Sequence, residues 1–383
     1  MIPRAPALRA DYDPRQHPAV LSSHRADTWL LGALGLLLGL GLLMVLDASF
    51  FLGRELYGNP WSLAGRQLGF ACIAAAEVAI LTRIRSELFT RIAYPMLFVA
   101  VLLLIAVLIP GLGQMRNGAR RWLAIGVLPF QPSEFAKVAM VLYLARSLAR
   151  KEDRMHSFTS GVLPHLLVAA VPVVLLLLEP DFGGAVMILA LTFAMLFVGG
   201  ARFAHLGTMV AAVAPVAIWL VWATPYRLAR VLGFLDPFAD ARGGGFQLVQ
   251  SFLAFGNGGV AGVGLGAGKQ KLFYLPEGHT DFIFAILGES LGFLGAVFVL
   301  ACFGAVAWRG FAIAARSLDR FSSLLAFGIT FLLVTQAILN IGVVTGLMPT
   351  KGMPLPLLSY GGSSMLATGL LAGILLSLSR ETR

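Results

Sequence analysis

Charge is scarce in this sequence. Only 13% of its 383 residues are Asp, Glu, Lys or Arg, and only 19 are acidic, whereas a soluble domain carries about 25% charged residues. With 58% of the chain hydrophobic, there is more apolar surface than a soluble core could bury, and lipid must be the solvent. Cysteine is nearly absent: Cys72 and Cys302 lie far apart inside apolar runs, which excludes a disulfide framework and a thiolate metal site. No cleavable signal peptide is evident, because the first 28 residues are polar, proline-rich and charged, and the apolar run that follows is long enough to span and stay. The shortage of acid leaves a net charge of +10. Its basic residues fall mainly in short loops between apolar runs, as topology determinants and contacts to anionic lipid do, and nucleic acid is not the expected partner.

What is present is a series of long apolar runs. Ten of them, near 29–50, 63–82, 92–110, 132–148, 162–179, 183–200, 205–223, 282–308, 321–346 and 360–379, have the length that crosses about 30 Å of hydrocarbon as helix. The expected fold is therefore all-α and polytopic, with ten transmembrane helices and one long extracytoplasmic loop between the seventh and eighth. A tail at 1–28, a single transmembrane domain at 29–379 containing the loop 224–281, and a short end at 380–383 complete the organisation. Arginine-rich turns at Arg83, Arg85 and Arg91, at Arg146, Arg150, Lys151 and Arg154, and at Arg309, Arg316 and Arg320 share one side with both termini. The positive-inside rule makes that side cytoplasmic. Loops 111–131, 224–281 and 347–359 then face outward, yet carry Arg116, Arg120, Arg121, Arg227, Arg230, Arg242, Lys269, Lys271 and Lys351. Cations on the wrong side for topology point to an anionic ligand, and a phosphate-bearing lipid head group is the obvious class.

Within the long loop, residues 242–256 suit a short amphipathic helix at the interface. The glycine run that follows, through Lys269 and Lys271, is suited to close backbone approach. It is no Walker A loop, since Val263 and Gln270 stand where Gly and Ser or Thr are required. A nest of amide donors with Lys269 and Lys271 could cradle a diphosphate; solvated lysines on a flexible loop are the alternative. Glu134 and Lys137 are spaced to share a helix face and to pair, either lining a polar cavity or orienting helices. Glu289 falls about two turns below Asp281, with the same two readings.

Asp281 is the strongest candidate for chemistry. It closes the stretch Pro276-Glu-Gly-His-Thr-Asp281 directly before an apolar span, where a carboxylate is partly desolvated and still reaches a polar substrate at the bilayer surface. His279 has too few companions for a protein-built metal site. A divalent ion, Mg2+ or Mn2+, shared between Asp281 and substrate diphosphate remains compatible with the sequence. Ser359, Ser363 and Ser364 sit in no nucleophile elbow.

Five motifs together resemble the SEDS family of shape, elongation, division and sporulation proteins. They are Arg120-Arg-Trp-Leu, Phe130-Gln-Pro-Ser-Glu-Phe-Ala-Lys137, Glu179-Pro-Asp-Phe-Gly183, Pro276-Glu-Gly-His-Thr-Asp-Phe-Ile-Phe284 and Pro354-Leu-Pro-Leu-Leu-Ser-Tyr-Gly-Gly-Ser-Ser364. The similarity runs from about residue 29 to 379, and the stretches 255–259, 270–276 and 340–352 are closer to the division members than to the elongation members. Gly278 and Ser290 depart from the family pattern. The resemblance implies an inverting peptidoglycan glycosyltransferase of the bacterial inner membrane, active at the septum. It would polymerise lipid II on the outer face beside a class B penicillin-binding protein and other divisome proteins. It also places the essential carboxylate at Asp281. Arg120, Arg121, Lys137 and Lys269 or Lys271 are then candidates for the diphosphate. Trp122, His279, Thr280 and Ser363 are candidate substrate contacts, and Glu134, Glu289 and Lys351 candidate cavity residues. A lipid II flippase, an elongation-type polymerase and a noncatalytic scaffold are the competing readings.

Overall fold

The computed structural model describes residues 26–116, 119–125 and 128–382; most of the expected N-terminal tail lies outside them. Ten long helices coincide with the ten expected spans. These are α1 (Thr28–Tyr57), α2 (Ser62–Leu81), α3 (Ser86–Leu108), α4 (Pro132–Arg150), α5 (Leu163–Leu178), α6 (Phe182–Val198), α7 (Phe203–Trp222), α10 (Ile283–Arg316), α11 (Arg320–Val344) and α12 (Gly362–Arg380). Among the described residues eight helices are long and apolar enough to cross a membrane, α5 together with the π-helical turn Phe158–Val162 that leads into it. Of the other two, α6 is an apolar helix of 17 residues, and α4 carries Glu134, Lys137, Arg146 and Arg150. The chain is a polytopic helical membrane protein.

Two connections between the long helices differ from expectation. The connection between α3 and α4 is a three-stranded antiparallel sheet, β1 (Gly113–Arg116), β2 (Ala119–Ile125) and β3 (Leu128–Phe130). The long loop holds the expected interfacial helix as α9 (Phe246–Gly258), and also a second helix that the sequence pattern does not predict, α8 (Pro225–Leu235). Pro225 at the first turn suits the start of α8, where its missing N–H costs nothing.

The interior is built on α4, α11 and α12. Gly369 and Gly373, one helical turn apart on α12, lie so close to α2 that an added Cβ would come within 3.0 Å of Ala74 Cα and 3.1 Å of Val78 Cα. Small residues permit this approach, and dispersion then replaces the hydrophobic drive that lipid does not supply. Polar side chains inside the bundle are tied together. Lys137 Nζ donates to Glu134 Oε1 at 2.8 Å and to Gln336 Oε1 at 3.1 Å, and Gln336 Nε2 donates to the Pro354 carbonyl at 2.9 Å.

Helix α10 is broken at Gly292, whose backbone (φ 67°, ψ −163°) is open essentially to glycine alone. A break inside a membrane strands backbone groups that water cannot satisfy. The glycine run satisfies them: Val263 and Gly264 donate to the carbonyls of Glu289 and Ser290, while Phe293 and Leu294 donate to those of Gly259 and Val260. A Cβ on Gly292 would stand 2.3 Å from the Gly262 nitrogen. Gly292→Ala should cost roughly 3 kcal/mol or more and lower the unfolding temperature in detergent; unchanged melting would mean that the break is dispensable.

Candidate active site

Asp281 lies in a tight turn that the sequence specifies locally. Glu277 adopts a left-handed backbone conformation (φ 55°), and its carbonyl accepts from the amides of Thr280 at 3.1 Å and Phe282 at 3.2 Å. The Thr280 hydroxyl returns to Glu277 Oε2 at 2.9 Å. From Phe282 to Ser290 every side chain is buried, and this run anchors the turn in the bundle.

The segment before α12 then fixes the turn from the other side. Three successive carbonyls each have a captor: His279 accepts from the Tyr360 amide at 2.9 Å, Thr280 from Ser359 Oγ at 2.5 Å, and Asp281 from Asn340 Nδ2 at 2.8 Å. Asn340 Nδ2 also reaches the Met353 carbonyl. Gln67, fully buried on α2, donates to the Ser359 carbonyl and accepts from the Gly361 amide. The backbone of Asp281 is thus held in place, and its carboxylate, half-buried, presses on Gly352, where a Cβ would approach Oδ2 to 2.8 Å.

The electrostatics suit a base. Burial first, then the neighbouring Glu277 carboxylate, push the Asp281 pKa up to about 7, against the pull of Arg230 and Arg121; Asp181 adds a smaller upward push. Such a group is ionised in part at neutral pH and readily takes a proton. Burial holds His279 below the usual imidazole range, with Glu277 opposing, and the ring lies 5.6 Å from that of Tyr360.

The cations around Asp281 come from separate elements. Arg121, on β2, is fixed by bonds to the carbonyls of Glu179 (3.3 Å) and Pro180 (2.5 Å) in the turn between α5 and α6. Arg230 comes from α8. Lys351 lies over the start of α6, its Nζ 6.0 Å from the Phe182 ring. Burial lowers its pKa to about 8, partly offset by Asp181 and reinforced by Lys137. At neutral pH it keeps most of its charge.

Several expected site residues are placed elsewhere. Lys271 makes a buried ion pair with Asp47 of α1 at 2.6 Å, and Asp47 also accepts from the Gly266 amide and from Ser290 Oγ. Glu289 accepts from the amides of Lys269 and Gln270, each at 3.0 Å. The nest expected for a diphosphate is thus filled by two of the protein's own carboxylates, and Glu289 is a cap for this loop. The Lys269 side chain is exposed. Ser363 is buried and accepts from the Gln131 amide at 2.9 Å, joining α12 to the end of the sheet. Arg120 and Trp122 flank Arg121 on β2 at a bulge, where Gln114 pairs with Trp122 and Met115 with Arg120, leaving Arg121 as the inserted residue. Lys137 is committed to Glu134 and Gln336.

Gln67, Gln336, Asn340 and Ser359 support the site without standing out as candidates in the sequence. Gln336 and Asn340 carry a readable signal, being two amides one turn apart in an apolar helix, a costly arrangement unless they bond something. Arg230 is legible only as one of the outer cations, although it lies three residues after Arg227 on one face of α8. No group of three or more His, Cys, Asp or Glu that could hold a metal ion exists among the described residues.

A family of cell cycle proteins, FtsW/RodA/SpoVE, matches residues 28–383. Relatives named "Probable peptidoglycan glycosyltransferase FtsW" include one from Trichlorobacter lovleyi, 44% identical over 88% of this chain and 89% of its own. Another, from Legionella pneumophila, is 42% identical over 93% of this chain and 91% of its own. Among solved structures, a chain of a peptidoglycan synthase complex superposes with a TM-score of 0.76 at 33% identity, covering 93% of this chain and 98% of that one. The rod shape determining protein RodA of Thermus thermophilus gives 0.69 at 29% identity, covering 93% and 97%.

Proposed function

Since the chain belongs to the FtsW/RodA/SpoVE family of cell cycle proteins, we propose that it is a membrane-embedded peptidoglycan glycosyltransferase that polymerises lipid II, with Asp281 as its general base. The observation that carries the assignment is the half-buried Asp281 carboxylate on a backbone fixed at His279, Thr280 and Asp281, with Arg121 and Arg230 acting on it. The acceptor sugar's 4-hydroxyl is a poor nucleophile until its proton leaves, and Asp281 takes that proton as the oxygen attacks the donor's anomeric carbon. The new carbon–oxygen bond forms on the face opposite the departing undecaprenyl diphosphate, and configuration inverts. The leaving group is already a stable anion. It needs cations and no protonated acid, unlike the leaving groups of two-carboxylate glycosidases. Arg121, Arg230 and Lys351 then stabilise the charge that develops on it.

A divalent ion would fit only with substrate oxygens completing its shell, because Asp281 has no carboxylate cluster around it. It would screen the diphosphate; the proton transfer to Asp281 stands without it. The finer assignments follow the family. The chain acts at the septum in the bacterial inner membrane, with both termini cytoplasmic, the Asp281 recess outside, and a class B penicillin-binding protein as its crosslinking partner.

The experiment is polymerisation of labelled lipid II by the purified chain with its transpeptidase partner, alongside lipid II translocation in proteoliposomes. Glycan strands from the wild type are expected. Translocation without strands would establish the flippase reading instead, and neither activity would leave a scaffold.

A further inference from the structure

On the arginine-rich side of the bundle, opposite the Asp281 recess, a polar cavity of about 430 Å³ opens between α3 and the end of α4. It is lined by Tyr94, Ser147, Arg150, Lys151, Asp153 and Arg154. Three cations against one carboxylate face this space. Topology alone asks for basic residues in this turn, and does not ask that they wall a cavity. The nearby acid Glu152 points away, toward Arg320 of α11 at 3.5 Å.

The helix turns behind the cavity are tied together. Arg146 lies 4.4 Å over the Tyr94 ring, and its Nη1 donates to the carbonyls of Thr90 at 2.6 Å and Arg91 at 3.3 Å. Its Nε is buried without a hydrogen-bond partner among the described residues. His165 lies beside Ser147 and Lys151, completely buried. Its Nδ1 is 2.6 Å from the Gly161 carbonyl, and the ring also meets the backbone of Ser147. Arg146 and His165 pack behind this turn, and the cations that line the cavity itself are Arg150, Lys151 and Arg154.

We propose that this cavity binds a phosphate group at the cytoplasmic membrane surface, through Arg150, Lys151 and Arg154, with the head group of an anionic phospholipid as its source. The lipid source follows from position: the cavity lies where α3 and α5 begin and α4 ends, at the level of lipid head groups on the side read as cytoplasmic. An ammonium or guanidinium near such a surface contributes about 1 kcal/mol toward anionic lipid, and three converging on one phosphate give a site distinct from the general attraction of the surface. The site is independent of the glycosyl-transfer chemistry and stands or falls separately from it.

The test is native mass spectrometry of the full chain titrated with phosphatidylglycerol and, separately, with phosphatidylcholine. A parallel titration of the chain in phosphatidylcholine nanodiscs with inorganic pyrophosphate is followed by thermal shift. Wild type should retain one more phosphatidylglycerol than Lys151→Gln or the triple variant Arg150→Gln/Lys151→Gln/Arg154→Gln. Affinity should fall about 5-fold and on the order of 100-fold respectively. Arg83→Gln/Arg85→Gln, which removes two cations from the same side outside the cavity, should leave that tight adduct in place. Equal phosphatidylglycerol retention by wild type and triple variant overturns the site. Pyrophosphate stabilisation of wild type alone, without the lipid difference, overturns the lipid source in favour of a soluble phosphate ligand.

Discussion

Replacing Asp281 with Asn should abolish glycan-strand synthesis, with a fall in turnover of about 10²–10⁴-fold, the usual contribution of a general base, while the protein remains folded. Asn keeps the shape and cannot take the acceptor proton. The fold should tolerate the change because the bonds that fix this turn run through backbone carbonyls, at His279, Thr280 and Asp281 itself. The sign of the stability effect is also set. A carboxyl whose pKa rises from 3.8, the ordinary value for Asp, to about 7 in the folded chain binds its proton more tightly folded than unfolded. Folding stability therefore declines as pH rises from about 4 to about 7, and the full penalty of holding the anion remains above that. Asp281→Asn removes this penalty and should melt at an equal or higher temperature than wild type at pH 8, as substitutions at strained functional groups often do. A variant that is inactive because it has unfolded would show the opposite shift.

The second large effect concerns Lys271. Its side chain and that of Asp47 are 1% and 7% exposed and pair at 2.6 Å. Lys271→Met leaves the Asp47 carboxylate buried with only the Gly266 amide and the Ser290 hydroxyl, and breaking a buried pair from one side costs about 3–5 kcal/mol. Poor expression and early melting are expected. Adding Asp47→Asn removes the stranded charge, so the double variant should recover most of the stability and with it lipid II polymerisation. If the double variant melts like wild type and makes no strands, Lys271 serves the diphosphate after all.

These two residues also show what can be read from the chain. Lipid demands long, mostly apolar helices, so ten spans stand out as ten runs, and Asp281 stands out as an acid at the entrance to one of them. The small sheet does not, because strands of three to seven residues interrupted by arginines are too short to carry a clear alternating pattern. Arg121 is set apart from Arg120 and Trp122 by a bulge in β2 that no sequence pattern marks. The glycine run reads as an anion cradle, and chemically it is one. Its anions are Glu289 and Asp47, 20 and 219 residues distant from the amides they bind, a separation that no local pattern reveals. Gln336 and Asn340 announce a polar task inside a membrane, while the carbonyls they serve, at Pro354, Met353 and Asp281, are not inferable from spacing. Glycine at position 292 is legible as a possible weak point, and its role becomes clear only with the 259–264 segment paired across the break.

The pH dependence of kcat/KM for lipid II tests the base assignment most directly, because it reports the ionisation of the free enzyme. With Asp281 at about 7, the rate constant should fall about tenfold per pH unit below that value. A profile that stays flat down to about pH 5.5 would mean that no group with the ionisation of Asp281 accepts the proton.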